Sequence, residues 1–289
     1  MQKAMNTIPE SMRAALGRIV SAEDTITSAP VAGLMAAFGR DDLDPRPGDP
    51  LPPLWHGLFC TAKLPPSRLG DDGLAKDEGL LPAATDYPDK LFGGARFDFR
   101  HPLKIGEDIL KESEVMSFEM KEGRSGAFIV GLVQHRISNR DGIAVVEEND
   151  IICRPSAITG SSGAVAQNRP APPHDAIWSR TITPDPVLMF RHSAVTFNSH
   201  RIHYDRDYVK EKGYPGLLVQ GTLIARLMLE MLRVEAPDFV LSSFLFRSGR
   251  PIYDNGAFVI AAVPDVGGTD IAFRAIDHAG NVGMTGRAR

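Results

Sequence analysis

Apolar and polar residues alternate with a period of two along two stretches of the chain, and this pattern predicts strands. The first stretch covers residues 114–118, 127–137 and 143–152, with Asn139-Arg140-Asp141-Gly142 before the last segment. The second covers residues 257–263, 271–276 and 282–288, with Asp277-His278-Ala279-Gly280-Asn281 before its last segment. Asp-Gly and Gly-Asn supply the positive-φ positions that tight hairpins need. A helical period instead marks residues 221–234: Leu223, Leu227, Met231 and Leu232 share one face, and Arg226, Glu230 and Arg233 are expected to point away from it. Val31, Leu34, Met35 and Phe38 carry the same spacing over residues 30–38, and Gly39 is a plausible stop. Residues 177–183 read as a strand, residues 186–191 as a short helical turn behind Asp185, and residues 198–204 as a loop or single turn.

The two strand-rich stretches belong to a weak repeat. Arg96-Phe97-Asp98-Phe99-Arg100-His101-Pro102-Leu103-Lys104-Ile105-Gly106 reads like Leu245-Phe246-Arg247-Ser248-Gly249-Arg250-Pro251-Ile252-Tyr253-Asp254-Asn255-Gly256. Upstream, Leu54-Trp55-His56-Gly57-Leu58 resembles Leu218-Val219-Gln220-Gly221-Thr222-Leu223 and is expected to keep a helix start. The interval from Gly57 to Pro102 exceeds that from Gly221 to Pro251, which places an insertion, read as loop, around residues 63–90. A segment rich in Pro, Gly and Ser separates the copies. We therefore expect an N-terminal unit over 1–155, a linker over 156–175 and a C-terminal unit over 176–289. One long apolar helix ahead of a set of strands suits an α+β fold in which an antiparallel sheet wraps a central helix.

Composition narrows the class without naming a function. The chain is 43% hydrophobic and 24% charged, with a formal net charge of −4, which suits a globular protein and gives no global basic field for nucleic acid. Residues 1–17 lack the continuous apolar run of a signal peptide. Residues 214–232 are interrupted by Arg226 and Glu230 and are too polar to span a bilayer. The expectation is a cytoplasmic protein with Cys60 and Cys153 reduced. No Gly-x-Gly-x-x-Gly or Walker loop is present, so no nucleotide cofactor is expected. His200 and His203 lack a third ligand at helpful spacing, so no metal is expected either.

The candidate chemistry lies where the copies differ. The second has Thr196-Phe197-Asn198-Ser199-His200-Arg201-Ile202-His203-Tyr204-Asp205, whereas the first has Phe38-Gly39-Arg40-Asp41-Asp42-Leu43-Asp44-Pro45-Arg46-Pro47, without histidine. If the copies are related, only the second kept the chemistry.

The segment from Thr196 through Leu223 resembles the MaoC-like hydratases, whose signature Asp-x-Asn-Pro-x-His is followed some twenty residues later by Val-His-Gly at the start of the hotdog helix. Here Asn198 stands at the Asp position, His203 at the His position, and Val219-Gln220-Gly221 matches the second motif. Phe-Asn-x-His-Arg-Ile-His-Tyr is similar to a narrower branch that includes hydroxyacyl-thioester dehydratase type 2 and the mesaconyl-CoA (3-methylfumaryl-CoA) and itaconyl-CoA hydratases. This resemblance covers nearly the whole chain. It implies a double hotdog, monomeric or homodimeric, that adds or removes water across the double bond of an acyl-CoA thioester. A C5 dicarboxyl-CoA ranks first as substrate by resemblance, and a 3-hydroxyacyl thioester of fatty-acid synthesis second.

In that reaction a base must activate water, a neighbour must orient it, and donors must hold the thioester oxygen as charge builds. His203 is the candidate base, Asn198 the orienting group and the Gly221 N–H the donor at a helix N-terminus. An amide at position 198 cannot exchange the proton, so His203 carries the transfer alone or with His200. Arg201, Arg247 and Arg250 are candidate contacts for phosphate or carboxylate, with His200 as a further substrate contact. A hotdog thioesterase, with Glu230 as the acidic residue of the helix, and a non-catalytic acyl-binding protein are the competing readings.

Overall fold

The computed structural model describes residues 7–42, 44–76, 79–82, 86–123, 126–155 and 171–289. The first half runs α1 (Glu10–Arg13), β1 (Ile19–Thr25), α2 (Ser28–Ala37), β2 (Asp89–Phe99), β3 (Asp108–Gly123), β4 (Gly126–Asn139) and β5 (Gly142–Arg154). The second runs β6 (Trp178–Ile182), α3 (Pro186–Val195), α4 (Arg206–Glu211), α5 (Gly221–Glu235), β7 (Ser243–Ser248), β8 (Phe258–Pro264), β9 (Ile271–Ile276) and β10 (Val282–Ala288). Of the expected linker, residues 156–170 lie outside the described residues.

Among the described residues, the ten strands form one sheet in the order β1-β3-β4-β5-β2-β7-β10-β9-β8-β6. Read inward from either edge, the two halves follow the same order, which is the topological form of the sequence repeat. The repeated aromatic segments are the strands that join the halves. β2 and β7 pair antiparallel, with Phe97 opposite Phe244 and Ala95 opposite Phe246. The rings of Phe97, Phe99, Phe244 and Phe246 stack at this seam, so the halves share a core that neither encloses alone.

The hairpin turns fall where the pattern put them, with Gly142 at φ 110° and Gly280 at φ 85°. Strand β1 went unread: it is an edge strand with no buried position, and its alternation is correspondingly faint.

Two expectations about helices are corrected. The Trp55–Leu58 segment forms a single 3-10 turn and, among the described residues, no α-helix lies between it and β2, so the described first half has no counterpart of α5. Helix α5 is buried nearly all round. Arg226 and Glu230, expected to face outward, are buried, whereas Arg233 is exposed and Leu227 only half-buried. The helix lies against the sheet on one side, where Met228 meets Gly286 of β10. On the other it meets the first half: Leu54 accepts from Arg226, and Arg40 is ion-paired with Glu230. A surface helix would show one polar stripe; a helix at the waist of a double unit does not.

Candidate active site

Helix α3 begins at Asp185, whose carboxylate accepts from the N–H groups of Val187 (2.8 Å) and Leu188 (3.1 Å), with Pro186 in the first turn. It ends by delivering the chain into the histidine segment. The Phe197 N–H donates to the Ala194 carbonyl and the Asn198 N–H to the Ser193 carbonyl, a Schellman closure. Phe197 occupies the left-handed position at φ 53° and is 56% exposed. The same closure ends α2, where Arg40 donates to Met35, Gly39 donates to Ala36, and Gly39 takes the left-handed φ of 70°. A bulky residue where the other copy has glycine is strained backbone at the edge of the candidate site.

Beyond it the chain makes one 3-10 turn, Arg201–His203. The Asn198 Oδ1 accepts from the His200 N–H at 3.1 Å, which holds the segment in an Asx turn. The His203 ring is 7% exposed as a residue, and its Nδ1 lies 2.7 Å from the Leu218 carbonyl. A carbonyl only accepts, so Nδ1 carries the proton and Nε2 is left as a base. Leu218 also donates its N–H to the Ile202 carbonyl at 2.9 Å. His203 is thereby fixed from both sides to the segment that enters α5, three residues ahead of Gly221. Burial lowers the His203 pKa to about 4, the Leu218 hydrogen bond opposes this shift, and His200 adds to it. The His200 ring stands edge-on at 5.5 Å, and burial lowers its pKa also.

The sequence candidates do not all converge. Asn198, His200, Arg201 and His203 share one segment, and Leu218 connects it to Gly221. Arg201 is engaged elsewhere: Nε bonds Asp205 at 2.9 Å, Nη1 bonds the Asp71 carbonyl at 2.9 Å, and Nη2 pairs with Asp205 at 2.8 Å. Its backbone N–H bonds the Asp72 carbonyl and the Ser199 hydroxyl bonds the Gly73 carbonyl. The insertion of the first half thus clamps the candidate catalytic segment of the second. Gly73, at φ 83°, admits no Cβ because the Ser199 carbonyl already occupies that space. Arg247 and Arg250 are exposed, on β7 and just after it. Glu230 is held by Arg40 and Arg233.

Sequence reasoning missed a set of buried polar residues behind His203. Gln220 donates from Nε2 to the Met189 carbonyl (3.0 Å) and the Ser193 hydroxyl (2.8 Å). His192, fully buried, bonds Arg226 Nη1 through Nε2 at 2.9 Å. A guanidinium only donates, so His192 is neutral. Burial, then Arg226, then His203 lower its pKa. In the first half His56 Nε2 meets Glu147 Oε2 at 2.9 Å, Asn149 donates to Glu147 at 2.8 Å, and His135 meets Ser113 at 2.7 Å. The available signal was a charged residue inside an apolar helix, Arg226, which periodicity alone assigned to the wrong side.

The candidate site is a neutral imidazole anchored beside the start of the helix of a double hotdog, and the relatives of the chain make it a hydro-lyase, a hydratase or dehydratase of acyl thioesters. The chain belongs to the hydroxyacyl-thioester dehydratase type 2 family, whose pattern matches residues 54–254. It is 38% identical over 266 residues, covering 91% of this chain and 93% of the other, to the mesaconyl-C(4)-CoA hydratase of Chloroflexus aurantiacus. It is 34% identical over 234 residues, covering 71% and 75%, to the mitochondrial hydroxyacyl-thioester dehydratase type 2 of Schizosaccharomyces pombe. Among solved structures, a MaoC-like dehydratase from Phytophthora capsici matches with TM-score 0.70 at 14% identity over 94% of each chain. A Mycobacterium tuberculosis protein described as having a double hotdog fold matches with TM-score 0.53 at 15% identity over 94% and 95%. Among the described residues no helix is long and apolar enough to cross a membrane.

Proposed function

We propose that this hydro-lyase acts on an α,β-unsaturated acyl-CoA, and that the acyl group is a C5 dicarboxylic one. The observation that carries the chemistry is the His203 imidazole, neutral and committed through Nδ1 to the Leu218 carbonyl. In the hydration direction Nε2 takes a proton from water while the water oxygen bonds to Cβ of the enoyl group. The π electrons move to the thioester oxygen, which the Gly221 N–H at the start of α5 holds as charge develops. The enolate then collapses, Cα takes the proton from the imidazolium, and His203 is neutral again. Dehydration is the reverse. Asn198 commits its Oδ1 to the His200 N–H, so its amide nitrogen serves as the donor that orients the water.

The substrate rests on the 38% identity to a mesaconyl-C(4)-CoA hydratase across nearly the full length of both chains. A 3-hydroxyacyl-thioester dehydratase is the second reading, supported by the 34% identity to the fission yeast protein over a smaller share of the chain. The test is loss of enoyl absorbance with crotonyl-CoA, mesaconyl-C4-CoA and itaconyl-CoA supplied separately to the wild type. Turnover of mesaconyl-C4-CoA with the highest kcat/KM is expected. No turnover of any would contradict hydratase chemistry, and free thiol without hydration would indicate a thioesterase.

A further inference from the structure

Arg226 is 5% exposed, and among the described residues it has no carboxylate in contact. Its Nε and Nη2 bond the Leu54 carbonyl at 3.3 and 3.1 Å, and Nη1 bonds neutral His192 at 2.9 Å. Three of the five N–H donors of a guanidinium are thus satisfied, all by uncharged acceptors. The compensating charge is Glu147, which acts through space and is itself taken up by His56 and Asn149. Removing a cation from water without a paired anion is strongly unfavourable, and burial lowers the Arg226 pKa to about 10. The fold nevertheless builds a seat for it. Leu54 adopts a left-handed φ of 69° in the segment that presents its carbonyl. Gly57 leaves room for the side chain, since a Cβ there would lie 2.9 Å from Nη2. The Leu54–Gly57 motif, read as a vestigial helix start, therefore holds an arginine from the other half.

We propose that Arg226, with His192 beside it, is the site that recognises a carboxylate on the acyl group of the substrate. The position suits that role, since His192 is bonded to Arg226 and feels the charge of His203. A carboxylate on the acyl group would supply the missing anion. The exposed Arg250 and Arg201, already paired with Asp205, do not offer this. The inference rests on the dicarboxyl-CoA hydratase reading of the same site and adds the residues that recognise the carboxylate.

The test compares succinyl-CoA and butyryl-CoA, equal in chain length but ending in a carboxylate or a methyl group, as equilibrium ligands of the full chain. The wild type should bind succinyl-CoA at least ~10-fold more tightly, because one charge-assisted hydrogen-bonded pair in a desolvated site is worth that much. Arg226→Gln should abolish the preference, whereas an arginine serving only as a structural tie would weaken both ligands alike. Gly57→Ala, which crowds Nη2, should reduce the preference and decides the question if Arg226→Gln does not fold. No preference in the wild type, or a preference that survives the substitution, overturns the proposal. Because binding is read without turnover, loss of the hydratase reading and loss of this inference are separate results.

Discussion

His203 combines two properties that pull against each other. Burial makes it a weak base, with a pKa near 4, while the Leu218 carbonyl fixes the tautomer that leaves Nε2 free. A weak base that is neutral in the free enzyme at ordinary pH is useful where water attacks a double bond already polarised at the thioester, because the transferred proton is soon returned to carbon. This sets the pH dependence. Since kcat/KM reports the free enzyme, it should be flat from about pH 8 to pH 5 and fall about tenfold per unit only below pH 4. A stopped-flow profile with brief acid exposure measures this; an acid limb centred on the ordinary histidine value of 6.5 would show that His203 is not the base.

At the scale of elements, the two helix closures explain what the sequence could and could not reveal. Gly39 announced the end of α2, and the Pro after Asp185 announced the start of α3. Nothing announced that α3 would run to Val195 and close on a left-handed Phe197, because that residue is not an expected stop. Replacing Phe197 by glycine should relieve the left-handed backbone and stabilise the fold by about 1 kcal/mol, read as a rise in Tm. A fall in Tm would mean that the ring is held by contacts worth more than the strain. Hairpins were legible because alternation and turn residues act locally. The placement of Arg226 was not, since it depends on a partner surface contributed by residues 54–57, remote in sequence. That the described first half has no counterpart to α5 was hidden for the same reason: Trp55-His56-Gly57 looks like a helix start, yet its glycine accommodates a guanidinium.

For the whole molecule, the continuous sheet through β2 and β7 and the ties at Arg226–Leu54 and Arg40–Glu230 make each half the support of the other. Three buried histidines and the half-buried His200 add a pH dependence to this shared stability. Burial lowers His203 and His135 to about 4, and lowers His192 and His200 as well. For His203 and His135 the unfolded chain binds a proton between 6.5 and 4 that the folded chain does not, so their contribution to stability is full above pH 6.5 and is lost as pH falls; His192 and His200 act in the same direction. His203 and His135 should each account for a loss on the order of 3 kcal/mol by pH 4. Urea unfolding between pH 7 and 4.5 should show one transition whose midpoint falls with pH; a midpoint independent of pH would contradict the neutral assignment of these rings.

The central claim is that His203 moves the proton. The most direct measurement is kcat/KM for hydration of crotonyl-CoA by the wild type and by His203→Ala, with folding of the variant checked by its thermal transition. General-base catalysis of this kind contributes about 10²–10⁴-fold, and a loss of that size in a folded variant is the predicted result. A folded His203→Ala protein that hydrates crotonyl-CoA at the wild-type rate would contradict the account.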